Sequence, residues 1–181
     1  MRTRLAVSEI RDGMQIDWDV AITMDDGLVL RADVFRPPAE GSYPVILSYG
    51  PYAKGLHFED GYPSAWRRMI ETYPDVAAGS SNKYQNWEVV DPEKWVPDGY
   101  AVVRVDSRGT GRSPGHIDVW SARETKDIYE CVESAGTQSW SSCQVGIDGF
   151  CYYAMNQSTA GSLKPPTRAA LCIWIGPASP Y

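Results

Sequence analysis

The sequence predicts an α/β fold built on a mostly parallel sheet, with flanking helices and an antiparallel hairpin at the N-terminus. Two apolar runs without alternation, at residues 45–49 and 100–105, are typical of strands that are covered on both faces. After the second run, strand patterns alternate with helix patterns. That order implies parallel strands joined by right-handed crossovers. A length of 181 residues with 43% apolar side chains fits a single domain.

The N-terminal hairpin is marked by an alternation of apolar and polar residues. Apolar side chains occupy every second position over residues 14–23, which predicts a half-buried strand. Asp25, Asp26 and Gly27 then favour a tight turn, and the alternation resumes over residues 28–35. The two runs therefore predict a pair of antiparallel strands.

Residues 55–97 are rich in aromatic and turn-forming residues. A structureless loop of this length is improbable in a compact domain. We therefore expect an excursion with its own local packing, containing a short helix over Pro63–Thr72. Its aromatic side chains are expected to pack in the core or in a lid over a binding site.

The C-terminal half carries the clearest helix signal. A capping box, Ser121 with Glu124 three residues later, begins a helix that ends at Gly136. A strand over residues 145–149, a helix over Tyr152–Ser162 and a buried strand over residues 169–174 follow.

The charge balance excludes two classes of partner. The chain has 17 basic and 23 acidic side chains, a net charge of −6, and no run of Lys or Arg longer than two residues. Such a chain repels the phosphates of nucleic acids and of anionic membranes. Its longest apolar stretches are far shorter than the roughly 20 residues that a membrane-spanning helix requires. We predict no nucleic-acid partner and no membrane segment.

Two features of the sequence indicate the cellular compartment of the protein. Residues 1–10 begin with basic side chains but lack the apolar core that follows them in a signal peptide. The four cysteines form no Cys-x-x-Cys pair, and a domain of this length does not need disulfides, so we expect free thiols that are mostly buried. Both features favour a cytoplasmic protein.

No metal or cofactor site is predicted. The cysteines are too widely spaced for a clustered zinc site. The glycine-rich loop over residues 107–115 has Pro114 in place of the third glycine of a dinucleotide fingerprint. We expect Asp106 and Arg108 to brace this loop through an ion pair and backbone hydrogen bonds. Four other carboxylates are scattered and are expected to be solvated: Asp25, Asp26, Asp118 and Asp127.

The sharpest local signal surrounds Cys151, which stands between the predicted strand ending at Gly149 and the helix starting at Tyr152. A nucleophile elbow has this construction, because small residues two before and two after the nucleophile permit a strained turn. The next backbone N–H then points at a developing oxyanion. Tyr153, two residues after Cys151, departs from the small-residue rule. On local sequence alone, a buried cysteine at a strand end is an equally good interpretation.

Several segments in a fixed order extend this signal over most of the chain. They are residues 24–27, 30–37, 44–47, 50–54, 98–103, 106–115, 140, 145–146 and 149–154. The ordered set resembles the CocE/NonD hydrolases, relatives of cocaine esterase and X-Pro dipeptidyl-peptidase. The resemblance runs from about Asp17 to the C-terminus. It implies an α/β-hydrolase fold in which residues 1–181 form the N-terminal part of the domain.

The same resemblance implies roles for three residues. Cys151 falls where the family elbow, Gly-x-Ser-Tyr, has its nucleophilic serine, and the Tyr152 N–H falls where an oxyanion donor stands. Tyr52, in the segment Pro-Tyr-Ala-Lys, supplies the second oxyanion contact through its hydroxyl. The implied activity is cleavage of an ester or amide bond, with an X-Pro peptide bond as one candidate, through an acyl-enzyme. A cysteine in this role needs a neighbouring base.

That base is absent from its usual place. In this fold the acid and then the histidine follow the nucleophile along the chain, but the 30 residues after Cys151 contain no His, Asp or Glu. His57 and His116 both precede it and are expected to be loop or surface histidines. We expect the base and acid to come from residues beyond Tyr181, and the isolated chain to be weakly active or inactive.

The strand over residues 169–174 would be the sixth of an eight-stranded sheet, so we expect the sheet to be truncated after it. Its open edge then calls for a partner that covers it. Two functions remain open. One is a CocE/NonD-type hydrolase acting on a small-molecule ester or a peptide. The other is a non-catalytic, truncated remnant that serves, if at all, as a binding or interaction protein.

Overall fold

The computed structural model describes residues 7–176 and contains one seven-stranded sheet in the order β1-β2-β3-β5-β4-β6-β7. The strands are β1 (Val7–Arg11), β2 (Met14–Thr23), β3 (Val29–Arg36), β4 (Tyr43–Gly50), β5 (Ala101–Asp106), β6 (Ser141–Phe150) and β7 (Arg168–Trp174). The helices are α1 (Phe58–Gly61), α2 (Pro63–Thr72), α3 (Pro92–Trp95), α4 (Ala122–Gly136) and α5 (Tyr152–Ser162), with a 3-10 turn at Pro74–Val76.

The predicted hairpin is confirmed, since β2 pairs antiparallel with β3. Its turn is closed by hydrogen bonds from Gly27 N–H to the Met24 carbonyl (2.9 Å) and from Met24 N–H to the Leu28 carbonyl (2.8 Å). The sequence interpretation left out β1, which pairs antiparallel with the start of β2 across the turn at Asp12 and Gly13. The strand predicted as the sixth is therefore the seventh of the described part.

The parallel part of the sheet is also confirmed. β4 lies between β5 and β6 and is parallel to both, and β7 is parallel to β6. Helix α4 connects β5 to β6, and α5 connects β6 to β7. The carboxyl ends of these strands therefore meet at one edge of the sheet, where ligands bind in open α/β sheets.

The two faces of the sheet are covered differently. Helices α4 and α5 pack on one face over the main core, where Leu47, Ile128 and Val145 are fully buried. On the other face, residues from the 55–97 excursion cover β2, β3 and β5, with Tyr84 and Val96 among them.

The excursion has the local packing that was expected of it, with more helices than predicted. Helix α2 has the predicted bounds, and α1, α3 and the 3-10 turn are additional. The rings of Phe58, Tyr62, Trp66 and Trp87 form a cluster; Tyr62 stacks on Trp87 with centroids 4.5 Å apart. These ring contacts give the excursion a small aromatic core of its own.

The sheet is open at β7. Within residues 7–176, β7 pairs with β6 alone, and most of its side chains are exposed, Trp174 by 60%. A groove of about 430 Å³ lies along β4, β6 and β7, with Val90, Trp95 and Cys172 in its wall. The exposed apolar edge was expected from the sequence, but the burial predicted for the strand over residues 169–174 was wrong, because no described residue covers it.

Across residues 7–176, every helix is too short or too polar to span a bilayer. All four cysteines are free thiols, but the expectation that most are buried was wrong: Cys143 and Cys172 are exposed, Cys151 is half-buried and Cys131 is buried. Cys172 is exposed because β7 has no cover.

Candidate active site

Cys151 occupies a strained turn at the carboxyl edge of the sheet. It lies between the end of β6 and the start of α5, with φ 53° and ψ −109°. Non-glycine residues rarely adopt this backbone conformation, and its strain is tolerated where surrounding contacts enforce it. The Cys151 N–H donates to the Trp174 carbonyl (3.1 Å), and the Cys151 carbonyl accepts from Met155 N–H (2.9 Å). The local geometry is that of a nucleophile elbow.

Two glycines make room for Tyr153, the residue that departs from the elbow rule. A Cβ on Gly149 would lie 2.1 Å from the Tyr153 Cβ, and a Cβ on Gly50 would lie 2.5 Å from the Tyr153 ring. Tyr153 is 6% exposed and packs beneath the turn. The Tyr153 side chain therefore fits because the strands beside it carry glycines. A rule that considers only the residues two before and two after the nucleophile does not reveal this space.

The structure brings the three predicted site residues together. Tyr52, in the loop after β4, has its ring centroid 6.2 Å from that of Tyr152 and 5.7 Å from that of Tyr153. Tyr152 is the first residue of α5, where backbone N–H groups have no partner within the helix. Burial, followed by the charges of Glu88 and Cys151, raises the pKa of the Tyr52 hydroxyl, which keeps this hydroxyl protonated as a donor.

Glu124 fixes the side chain of Tyr152. The Tyr152 hydroxyl donates to Glu124 Oε1 (2.7 Å), and Trp120 N–H donates to Glu124 Oε2 (2.7 Å). Ser121 Oγ accepts from Glu124 N–H (3.0 Å), so the capping box is present, with Trp120 rather than Ser121 as the donor to the carboxylate. Burial raises the pKa of the Glu124 carboxyl, and the two donors offset part of that rise. The sequence identified Glu124 as a cap only.

Lys54 anchors the loop that carries Tyr52. Its Nζ is buried and donates to Asp19 Oδ1 (2.7 Å) and Asp33 Oδ1 (2.8 Å). Its backbone N–H donates to Asp106 Oδ1 (2.6 Å), and its carbonyl accepts from Asn86 Nδ2 (2.6 Å). The motif Pro-Tyr-Ala-Lys contained this residue, but the sequence gave no reason to assign it a role, since both aspartates are distant along the chain.

The glycine-rich loop is braced, but by different pairs than expected. Asp106 accepts from the backbone N–H groups of Lys54 and Arg112. Arg108 pairs with Asp127 (2.8 Å) and Asp26 (2.9 Å) instead of with Asp106. Asp127 is fully buried, so the expectation that it is solvated was wrong; the guanidinium groups of Arg108 and Arg123 compensate its burial.

Neither histidine hydrogen-bonds to Cys151 within the described residues. His57 forms an isolated bridge with Asn86 at the start of α1, and His116 is exposed in the glycine-rich loop. The backbone carbonyl of Glu88 accepts from Phe150 N–H (3.2 Å), which places the Glu88 backbone beside the elbow. The sequence carried no signal for this residue. Residues 7–176 hold no cluster of three His, Cys, Asp or Glu side chains arranged to ligate a metal.

Comparison with known proteins gives a consistent result. The sequence profile described as X-Pro dipeptidyl-peptidase (S15 family) matches residues 26–181. Cocaine esterase of Rhodococcus sp. (strain MB1 Bresler) is 30% identical over 174 residues, which cover 88% of this chain and 25% of the esterase.

Solved structures agree with the sequence relatives. A CocE/NonD family hydrolase from Staphylococcus aureus has a TM-score of 0.77 at 34% identity, covering 93% of this chain and 29% of that chain. An aminopeptidase from a marine sediment archaeon, Thaumarchaeota archaeon, has a TM-score of 0.68 at 15% identity, covering 100% of this chain and 29% of the aminopeptidase. The last similarity supports the α/β-hydrolase fold alone. The chain spans between a quarter and a third of the length of each of these proteins.

Proposed function

The chain belongs to the X-Pro dipeptidyl-peptidase (S15) family, and from that premise we propose that it is a hydrolase of the CocE/NonD type that cleaves an ester or amide bond through an acyl-enzyme at Cys151. The substrate is a small-molecule ester or a peptide. The single observation that carries the proposal is the backbone of Cys151, held at φ 53° and ψ −109° between β6 and α5.

The proposed chemistry proceeds in two steps. The Cys151 sulfur loses its proton and attacks the acyl carbon, and the leaving group departs with a proton, so a thioester remains. Water then attacks the thioester, releasing the acid and restoring the thiol. In both steps the negative oxygen is stabilised by the Tyr152 N–H and the Tyr52 hydroxyl. Removing one such donor costs about 10²–10³ in rate in other acyl-transfer enzymes.

Acylation can be tested with p-nitrophenyl acetate and the purified chain. We expect a burst of about one p-nitrophenol per chain, followed by slow turnover, and one acetyl group on the peptide that contains Cys151. Slow turnover of this 181-residue chain is expected because residues 152–181 contain no His, Asp or Glu. Cys151→Ala should abolish the burst, whereas Cys172→Ala, which removes an exposed thiol on β7, should retain it. A burst that survives in Cys151→Ala would refute the proposal.

The second candidate function is that of an interaction protein without turnover, and the observation that favours it is the open edge at β7. We propose that a partner covers this edge, since an unpaired apolar strand favours association. The test is co-purification from the source cell. Two results together would favour this function over hydrolysis: the native chain shows no acylation, and substitutions in β7 abolish co-purification of the partner.

We also propose a cytoplasmic location. All four thiols are free, as is usual in a reducing compartment. Fractionation of the source cell tests this, and recovery in a secreted fraction would contradict it.

A further inference from the structure

A cavity of about 350 Å³ lies between β2, β3, the loop after β4 and the glycine-rich loop. Its wall includes Trp18, Asp19, Asp33, Lys54, Gly55 and Arg112. Cys151, Tyr52 and Tyr152 do not belong to this wall. Sites for small molecules commonly have volumes of about 300–1,000 Å³. The cavity is therefore large enough for a small ligand and lies outside the elbow.

An irregularity in β2 shapes this cavity. The register of β2 against β3 shifts between Asp17 and Val20, and Asp19 has φ 55°, in the left-handed region. A β-bulge of this kind re-aims side chains relative to the regular alternation of a strand. The two residues inside the bulge, Trp18 and Asp19, both contribute to the wall. The cavity is thus built where the sheet departs from regular pairing.

Asp33 brings a buried carboxylate oxygen without a partner to the wall. Its side chain is 2% exposed, and it accepts hydrogen bonds from Lys54 Nζ (2.8 Å) and from Asp19 N–H (3.0 Å). Both bonds end on Oδ1, and Oδ2 accepts none from residues 7–176. A carboxylate oxygen that is withdrawn from water and has no donor is costly. A ligand in the cavity that donates a hydrogen bond to Oδ2 removes this cost.

Arg112 brings unused donors to the same wall. Its Nη1 pairs with Asp19 Oδ2 at 2.5 Å, whereas its Nε and Nη2 make no hydrogen bond to residues 7–176. The Arg112 side chain is 53% exposed, and its backbone N–H is fixed by Asp106 Oδ2 (2.8 Å). Adjacent N–H groups of a guanidinium match the two oxygens of a carboxylate. Arg112 is therefore suited to hold a ligand carboxylate.

The charges of the wall limit the class of ligand. Two carboxylates, of Asp19 and Asp33, stand beside two cations, Lys54 and Arg112. An inorganic anion would meet both carboxylates, and a metal ion would meet both cations. A molecule that carries an ammonium and a carboxylate offers the opposite charge to Asp33 and to Arg112 at once.

The two ends of the site are joined by short contacts. Asp33 binds Lys54 Nζ at 2.8 Å, Lys54 Nζ binds Asp19 Oδ1 at 2.7 Å, and Asp19 Oδ2 binds Arg112 at 2.5 Å. Three contacts therefore connect the unpartnered oxygen to the unused guanidinium. This chain places both groups around one small molecule, and the indole of Trp18 adds an apolar surface to the wall.

We propose that the cavity binds a free amino acid as a zwitterion. The ligand ammonium donates to Asp33 Oδ2, the ligand carboxylate accepts from the Arg112 guanidinium, and an apolar side chain packs on Trp18. Charge-assisted hydrogen bonds at both ends provide the affinity. The proposal does not depend on acylation at Cys151.

Isothermal titration calorimetry of the native chain with L-leucine tests the proposal. L-leucinamide, which lacks the carboxylate, and 4-methylpentanoate, which lacks the ammonium, separate the two ends. We expect one L-leucine to bind per chain, and each analogue to bind about tenfold more weakly or less, because it loses a charged hydrogen-bonding group. Equal binding of the three compounds, or no saturable binding of L-leucine, would overturn the proposal.

Two variants locate the bound molecule. Arg112→Met should weaken L-leucine binding by about tenfold and no longer distinguish L-leucine from L-leucinamide. Asp33→Asn should no longer distinguish L-leucine from 4-methylpentanoate. The matched control is Arg11→Met, because Arg11 is 55% exposed, pairs with Glu9 (3.0 Å) and does not belong to the wall. This control should bind L-leucine as the native chain does.

Circular dichroism checks that the variants fold. If Asp33→Asn does not fold, Arg112→Met decides, and undiminished L-leucine binding by Arg112→Met would overturn the proposal. Cys151→Ala should bind L-leucine with the native affinity, which places the ligand outside the elbow. Loss of binding in Cys151→Ala, together with native binding in Arg112→Met, would place the ligand at the elbow instead and refute the cavity site.

Discussion

Cys151 and its glycine neighbours show how the elbow is built from single residues. The strained φ and ψ of Cys151 persist because helix α5, the Trp174 carbonyl and the ring of Tyr153 fix the residues around it. Position 149 needs a glycine because the missing Cβ leaves space for Tyr153. The backbone conformation does not demand it, since the φ of Gly149 is ordinary.

Gly149→Ala is therefore expected to destabilise the fold by about 3 kcal/mol, the upper end of the usual cost of overpacking. The reason is the 2.1 Å contact between the new Cβ and the Tyr153 Cβ. Urea unfolding measures the effect. The matched control is Gly146→Ala on the same strand, where the nearest atoms lie at 3.8 Å; it should change stability by less than about 1 kcal/mol. Equal effects of the two substitutions would refute the contact argument.

Asp148 gives a pH dependence at the residue scale. Burial raises the pKa of its carboxyl from the usual value of 3.8, and the hydrogen bond from Trp174 offsets part of the rise. The folded state therefore holds this proton more tightly than the unfolded state, so the native chain loses stability as pH rises from about 3.8 through the raised pKa.

Asp148→Asn removes that titration, and we expect the stability of the variant relative to the native chain to increase over the same pH interval and then to level off. Urea unfolding at a series of pH values checks the sign. A constant difference, or one that changes in favour of the native chain, would contradict the assigned cause.

At the scale of elements, the loop after β4 is held to three strands by one residue, Lys54. Lys54 Nζ connects this loop to Asp19 on β2 and Asp33 on β3, while its N–H connects it to Asp106 at the end of β5. Asp33 is 1% exposed, so its charge is compensated inside the protein rather than by water. The position of Tyr52 thus depends on contacts between elements that are far apart in sequence.

Lys54→Met should cost about 3–5 kcal/mol, because it leaves two carboxylates without their cation in a buried site. Lys83→Met is the control: Lys83 pairs with Asp12 at 3.6 Å with 62% of its side chain exposed, and such pairs contribute about 0–1 kcal/mol. Adding Asp33→Asn to Lys54→Met should recover part of the loss. Chemical unfolding of the native chain and the three variants measures these differences in stability. A small effect of Lys54→Met would show that the ion pairs of Lys54 do not hold the loop.

At the scale of the whole molecule, one face of the sheet lacks a layer beyond β4. Strand β7 and the residue after it expose Ile173, Trp174 and Ile175, and the adjoining groove is lined by apolar side chains. Layered α/β folds bury both faces of a parallel sheet. The described residues complete this arrangement on the α4 and α5 face alone.

We expect the isolated chain to self-associate through this edge, and Ile173→Lys to reduce the association, since an edge lysine opposes strand pairing. Sedimentation velocity over a range of concentrations measures it. Val119→Lys, at an exposed apolar residue in a loop, is the control. If both variants lower the apparent mass of the associated species, or if neither does, then β7 does not form the self-association contact.

The sequence by itself determined those helices and strands that local patterns predict. It also determined the family, through motifs that occur in a fixed order. The hairpin, the helix at Pro63–Thr72 and the capped helix α4 follow from periodicity and capping, which act within a few residues, and the elbow at Cys151 follows from a motif. Strand β1 was missed because it is short and mostly exposed, so little apolar alternation marks it.

Tertiary structure decided everything that depends on contact between distant segments. It placed Glu88 beside Phe150, connected Lys54 to Asp19 and Asp33, and paired the buried Asp127 with Arg108. These contacts join residues separated by about 20 to 60 positions, and no local propensity encodes them. Sequence patterns thus specify which residues form the elbow, whereas packing decides which charged groups lie near it and how their pKa values shift, because burial and partner distance are properties of the fold.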